Sequence, residues 1–144
     1  MMQRALEQAQ LAAQRGEVPV GAVIVKNNQI IASTHNLTET TCDPTAHAEV
    51  LAIRSACEIL KTPRLIDCDM YVTLEPCPMC ATAISFARIR RLYFGAYDPK
   101  GGGVENGPRI FNHPTCHHTP EIIGGVQERE CGELLKDFFK TRRS

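Results

Sequence analysis

The stretch Asp69-Met70-Tyr71-Val72-Thr73-Leu74-Glu75-Pro76-Cys77-Pro78-Met79-Cys80 sets the architecture. Its first half reads as a strand over 69–74. Pro78 then stands where a helix tolerates proline, in the first turn, and that helix runs to about residue 87. Arg91-Leu92-Tyr93-Phe94-Gly95-Ala96 forms the next strand. Toward the N-terminus, Ala5, Leu6, Ala9, Ala12 and Ala13 recur at helical spacing over 2–15, and Gly16 closes that helix. Residues 18–25 are a short β-branched apolar run, a buried strand, and Asn27-Asn28 turns it into a hairpin partner over 29–33. A polar loop over 37–44 leads to a helix that starts at Pro44-Thr45, with Ala46, Val50, Ile53, Ala56, Cys57 and Leu60 on its apolar positions. Toward the C-terminus, residues 97–125 read as a long loop of the kind that often carries function, with a short last strand at 121–123. Residues 128–139 close the chain as a helix, with Cys131, Leu134, Leu135, Phe138 and Phe139 on its apolar side. Strands that alternate with helices imply a layered α/β fold whose sheet is partly parallel. No linker or repeat interrupts it, so one domain over 1–144 is expected.

Composition narrows the function. The 144 residues carry 16 basic and 16 acidic side chains, a formal net charge of zero. This excludes a uniformly basic nucleic-acid binder and a polyanionic tail, but not a local basic face. No run of about 18 apolar residues is present, and the N-terminus is too polar for a signal peptide, so a cytoplasmic protein with no membrane contact is expected. Seven cysteines are an odd number for a disulfide framework, so reduced thiols, some of them metal ligands, are the better reading.

Two segments carry the chemistry: Thr45-Ala46-His47-Ala48-Glu49 and Glu75-Pro76-Cys77-Pro78-Met79-Cys80. Cys77 and Cys80 offer two thiolates one helical turn apart, and a helix N-terminus favours thiolates through its positive dipole end. With His47 they make a His-Cys-Cys set. Three protein ligands leave the fourth position of a tetrahedral Zn²⁺ to water, the pattern of a catalytic site. Glu49 need not bind metal; beside a zinc-bound water it can take and pass on a proton. Zinc lowers the pKa of that water from about 15.7 to about 7, so hydroxide is available at neutral pH. Two other readings stand beside this one. A redox Cys-x-x-Cys pair leaves His47 and Glu49 without a task. A closed structural site, completed by Cys42, Cys57 or Cys68 in a non-catalytic module, has no use for the Glu49 carboxylate.

His-x-Glu followed by Pro-Cys-x-x-Cys matches the signature of the zinc nucleobase deaminases. The longer strings Gly16-Glu17-Val18-Pro19-Val20-Gly21-Ala22, Asp43-Pro44-Thr45-Ala46-His47-Ala48-Glu49, Tyr71 to Cys80 and Gly95-Ala96-Tyr97-Asp98-Pro99-Lys100 closely resemble the bacterial tRNA-specific adenosine deaminases, within the cytidine deaminase-like superfamily. The resemblance implies a three-layer α/β/α fold with a five-stranded mixed sheet, a homodimer, one Zn²⁺ per subunit, and conversion of adenosine to inosine at the wobble position of a tRNA anticodon stem-loop. It implies His47, Cys77 and Cys80 as zinc ligands and Glu49 as the proton shuttle. It makes Asn36 a hydrogen-bonding partner of the flipped base, with the Ala48 backbone and Val18 helping to form the base pocket. The implied step is hydrolytic. Zinc-bound hydroxide attacks C6 while Glu49 moves the water proton to the ring nitrogen and then to the leaving ammonia, on a base flipped out of its stack. A deaminase of a free base or nucleoside, of the guanine or cytosine kind, would use the same zinc site and is the second reading.

The chain departs from the family's usual pattern over 101–118, where three glycines and His113-Pro114-Thr115-Cys116-His117-His118 replace a short helix and an Asn-His-Arg string. The glycines read as a flexible loop. The His/Cys run reads as a loop or a substrate-facing lid, with a second metal site as the lesser alternative. Residues 1–80 carry 6 basic and 9 acidic groups, and 81–144 carry 10 and 7, so the basic excess lies in the second half, at Arg88, Arg90, Arg91, Lys136, Lys140, Arg142 and Arg143. Asp98, Lys100, Lys140, Arg142 and Arg143 are the candidate RNA contacts.

Overall fold

Asn27 and Asn28 take φ of 51° and 62°, the left-handed pair that a two-residue hairpin turn requires and asparagine tolerates. They join β1 (Gly21–Lys26) to β2 (Gln29–His35) in antiparallel register. The structure is a computed structural model that describes residues 1–143, the last by its backbone alone. β3 (Cys68–Leu74) pairs antiparallel with the other side of β1, and β4 (Arg91–Ala96) and β5 (Glu121–Ile123) follow in parallel. The result is a five-stranded mixed sheet in the order β2-β1-β3-β4-β5, as expected.

Strand alternation splits the core into two layers. Ala22, Ile24, Met70, Val72, Leu92 and Phe94 face α3 (Ala48–Leu60) and α4 (Pro78–Ala87), which pack there through Ala48, Ala52, Ala56, Ala81 and Ile84. Val23 and Val25 face the opposite way, toward Met2, Ala5 and Leu6 of α1 (Met2–Gln14) and Cys131 of α5 (Glu128–Arg143). Helices on both faces complete the three layers. At Gly21 a Cβ would collide with the Ala5 carbonyl, so only glycine lets α1 lie this close to β1.

Several boundaries differ from the sequence expectation. β1 begins at Gly21 rather than Val18, because Pro19 has no N–H to pair and the Val20 N–H turns back to the Val18 carbonyl at 2.8 Å. α3 begins at Ala48 rather than Pro44: Asp43 accepts the Thr45 N–H and hydroxyl at 2.9 and 2.7 Å in a tight turn, and His47 stays extended as the residue before the helix. The 37–44 loop contains a single helical turn, α2 (Thr38–Thr41). Buried Glu17 anchors it by accepting the Thr40 N–H and hydroxyl at 2.7 and 2.6 Å and the Glu39 N–H at 3.1 Å. Phe138 is half-buried and Phe139 is exposed, so the last apolar pair of α5 lies outside the core.

Candidate metal and catalytic site

The sheet delivers two chain segments to neighbouring helix starts. β2 runs through Asn36 and α2 to His47, which stands immediately before α3. β3 runs through Glu75-Pro76 to Cys77, which stands immediately before α4 with Pro78 as its first helical residue. Proline on either side of Cys77 fixes φ at two positions of this turn. The two helix N-termini place partial positive charge beside the thiols.

His47 Nδ1 lies 3.6 Å from Cys77 Sγ and 3.5 Å from Cys80 Sγ. The three potential ligand atoms lie within 4.8 Å of one another, with Cys80 buried and the other two half-buried. Hydrogen bonding from the Cys80 thiol, reinforced by His47, lowers the Cys77 pKa to about 4. Cys80 shifts the opposite way, because it supplies the proton that Cys77 shares and is itself buried. Hydrogen bonding to Cys77 raises the His47 pKa. A soft cation in this set would replace the shared proton and the imidazole hydrogen bonds.

Glu49 sits in the first turn of α3 and is only 4% exposed. Burial raises its carboxyl to about 7. Its Oε1 is the one buried side-chain oxygen or nitrogen without a hydrogen-bond partner among the described residues. Such an orphan acceptor beside two thiols and an imidazole is what an ion site with a proton-carrying neighbour requires. The residues therefore fit a zinc ion.

Asn36 adjoins the start of α3, and Val18 packs on the core beneath it. Asn36 is buried, and its Oδ1 accepts the otherwise free Ala48 N–H at 2.8 Å. The Thr34 hydroxyl donates to the Ala48 carbonyl at 2.7 Å. Val18 is half-buried against the core layer of α3 and α4. The structure does not draw the fourth-ligand candidates in. All seven cysteines are free thiols, and Cys42, Cys57 and Cys68 lie outside the three-residue group.

The candidate RNA contacts are dispersed. Lys100 and Lys140 are exposed, whereas Asp98 Oδ1 already accepts the Lys100 and Gly101 N–H groups at 3.2 and 2.9 Å. The Arg142 guanidinium lies 4.6 Å over the Phe138 ring on α5, and the Arg143 side chain lies outside the described residues. Part of the basic excess is neutralised within the fold. Arg90 forms a two-pronged pair with Asp69 at 3.0 and 2.9 Å, and Arg91 bonds Glu121 at 2.9 Å.

The 101–118 segment is not the flexible loop its glycines suggested. Gly102 and Gly103 are buried, and a Cβ on Gly103 would stand 2.6 Å from Pro78 N. Two imidazoles and the thiol of the His/Cys run are engaged elsewhere: His113 Nε2 with the Pro108 carbonyl at 2.6 Å, His118 Nε2 with the Ile89 carbonyl at 2.7 Å, and Cys116 Sγ 3.4 Å from Ser85 Oγ. Among the described residues they form no second metal group. A cavity of about 310 Å³ lies between this segment and α4, lined by Phe86, Ile110 and Cys116 among others and by none of the ligand residues. What sequence reasoning missed is the anchoring role of Glu17, the Thr34 bond to Ala48, and the task of Glu75, which stands at the head of the thiol segment but was given no role of its own.

The chain is similar over its length to known deaminases. The profile of the MafB19-like deaminases matches residues 1–143. A tRNA-specific adenosine deaminase of Agrobacterium fabrum is 56% identical over 142 residues, covering 99% of this chain and 93% of that protein. A solved structure from a study of A-to-I editing by tRNA:A34 deaminases at the wobble position of transfer RNA is 57% identical with a TM-score of 0.92, covering 93% of this chain and 97% of its own. A guanine deaminase structure from Bacillus subtilis is 34% identical with a TM-score of 0.65, covering 99% and 92%.

Proposed function

This chain belongs to the tRNA-specific adenosine deaminases within the MafB19-like deaminase family, and from that premise we propose that it converts adenosine to inosine at the wobble position of a tRNA anticodon. The observation that carries the reading is the meeting of His47, Cys77 and Cys80 beside a buried carboxylate with a free oxygen. His47, Cys77 and Cys80 would hold one Zn²⁺ per subunit. When bound, the ion supplies an activated water at neutral pH.

The protein's own residues do the rest. Glu49, its carboxyl raised to about 7, takes one proton from water and delivers it to the ring nitrogen, then takes the proton of the hydroxyl added at C6 and gives it to the amino group, which leaves as ammonia. Because the Asn36 carbonyl oxygen is committed to Ala48, its amide N–H₂ is the group left for the base. The Ala48 backbone and Val18 wall the base, which must be flipped out for C6 to be reached. Lys100, Lys140, Arg142 and Arg143 are the candidates for phosphate contact. The protein acts as one deaminase domain in a cytoplasmic homodimer. A likeness to guanine deaminase at 34% identity supports the second reading, a free base such as guanine or cytosine.

The test is inosine formation on an anticodon stem-loop with adenosine at the wobble position, run beside free guanine and cytosine. Inosine on the RNA, abolished by a chelator and restored by Zn²⁺, is expected. Turnover of a free base with none on RNA would replace the first reading by the second.

A further inference from the structure

Glu75 is two residues before Cys77, is only 2% exposed, and takes no part in the chemistry above. Its backbone continues the sheet, with its N–H donating to the Ala96 carbonyl at 2.8 Å. Its side chain receives five hydrogen bonds from one short loop, 98–106. Oε1 accepts the Asp98 N–H at 3.0 Å and Asn106 Nδ2 at 2.7 Å. Oε2 accepts three successive backbone N–H groups, Val104 at 3.1, Glu105 at 2.9 and Asn106 at 3.0 Å. Consecutive amides aimed at one oxygen form an anion cradle, and only a full carboxylate meets all five donors.

The loop is thereby pressed against the turn that holds Cys77. The Gly103 N–H donates to the Pro76 carbonyl at 2.8 Å. A Cβ on Gly103 would lie 2.6 Å from Pro78 N and 3.0 Å from the Cys77 carbonyl carbon, and a Cβ on Gly102 would lie 2.5 Å from Glu75 Oε2. Pro76 and Pro78 make the turn stiff, so where it is held decides where Cys77 Sγ points. Metal sites tolerate errors of only about 0.2 Å in ligand distance.

We propose that Glu75 is a positioning residue for Cys77, acting by clasping the 98–106 loop onto the turn that begins α4. This rests on reading His47, Cys77 and Cys80 as the metal ligands. Residues that orient a metal ligand from behind change metal affinity by about 10–100-fold when altered.

The experiment uses Co²⁺ as the probe, read by its thiolate charge-transfer bands and by competition with a chelator, at a temperature well below unfolding. Glu75→Gln is expected to weaken Co²⁺ binding by about 10–100-fold and to shift the bands. A second change, Asn106→Asp, made together with Glu75→Gln, exchanges amide and carboxylate across that bond and is expected to recover part of the loss. Val23→Ala, in the other core layer, lowers stability and is expected to leave bands and affinity as they are. Wild-type affinity and bands in Glu75→Gln would overturn the proposal, as would equal losses in Val23→Ala or no recovery in the double variant. Should Glu75→Gln fail to fold, Asn106→Ala removes one bond of the five. An unchanged Co²⁺ affinity there is then the overturning result, and a weakened one supports the clasp. A wild-type protein that binds Co²⁺ but makes no inosine sinks the tRNA reading alone, since the affinity comparison needs no substrate.

Discussion

Two glutamates stand at the two helix starts of the site, and they are opposites. Glu49 opens α3 at 4% exposure and Glu75 precedes α4 at 2%, so depth does not distinguish them. Donors do. Glu49 keeps one oxygen with no partner, and burial raises its pKa to about 7. Burial alone would raise Glu75 as well, but hydrogen bonds from Asp98, Asn106 and Glu105 outweigh it and hold the carboxyl below the usual range. A buried carboxylate surrounded by N–H groups becomes an anchor. One left short of them keeps a proton that it can give away.

The largest expected effect concerns Glu49, the member with an unpartnered oxygen. Glu49→Gln should cut deamination by about 10²–10⁴-fold, the usual worth of a positioned acid–base group, while bound zinc stays at the wild-type level. Undiminished turnover would remove Glu49 from the mechanism. The same variant should change Tm little, because the oxygen exchanged for N–H₂ has no hydrogen bond to lose.

Glu75→Gln should behave in the reverse sense. At least two donors would face an N–H₂ group, a loss of roughly 2–4 kcal/mol. That corresponds to a Tm lower by about 5–15 °C for a chain of this size, read by calorimetry. Equal Tm changes in the two variants would erase the distinction between them. Gly103→Ala attacks the same clasp from the loop side. Its Cβ meets backbone that cannot yield, so about 1–3 kcal/mol of destabilisation is expected in denaturant titration.

The smallest effect lies at Glu17, which anchors α2 as Glu75 anchors its loop. Burial pushes its carboxyl up, but hydrogen bonds from Thr40, Glu39 and Thr38 outweigh this and leave it below the ordinary value. An acid with a depressed folded pKa adds stability above its unfolded pKa and loses it as pH falls through the folded one. Glu17→Gln should therefore lower Tm modestly at pH 7 and flatten the fall of Tm below about pH 4.5. Parallel acid profiles for variant and wild type would show that Glu17 carries no such linkage.

How much of this was legible varies by segment. The run from Asp69 to Cys80 disclosed its strand, its helix start and its thiol pair, because each depends on neighbours within a few residues. His47 and Glu49 were legible for the same reason, although the helix they open begins four residues later than Pro44 suggested. The triple glycine misled: low side-chain volume signals both a mobile loop and a tightly packed one, and only contact with Pro78 separates the two. The lesser reading of His113 and Cys116 as metal ligands fails because the Pro108 carbonyl and the Ser85 hydroxyl engage them, the second from 31 residues away.

The sequence alone determined the donor types, their spacing and the alternation of strand and helix, since these follow from periodicity and local backbone preference. Only the tertiary structure decided which buried carboxylate would be satisfied. The donors to Glu75 come from 23 to 31 residues away and those to Glu17 from 21 to 23 residues away. A carboxylate's partners over such separations are set by how loops pack against the sheet, and no local pattern encodes them.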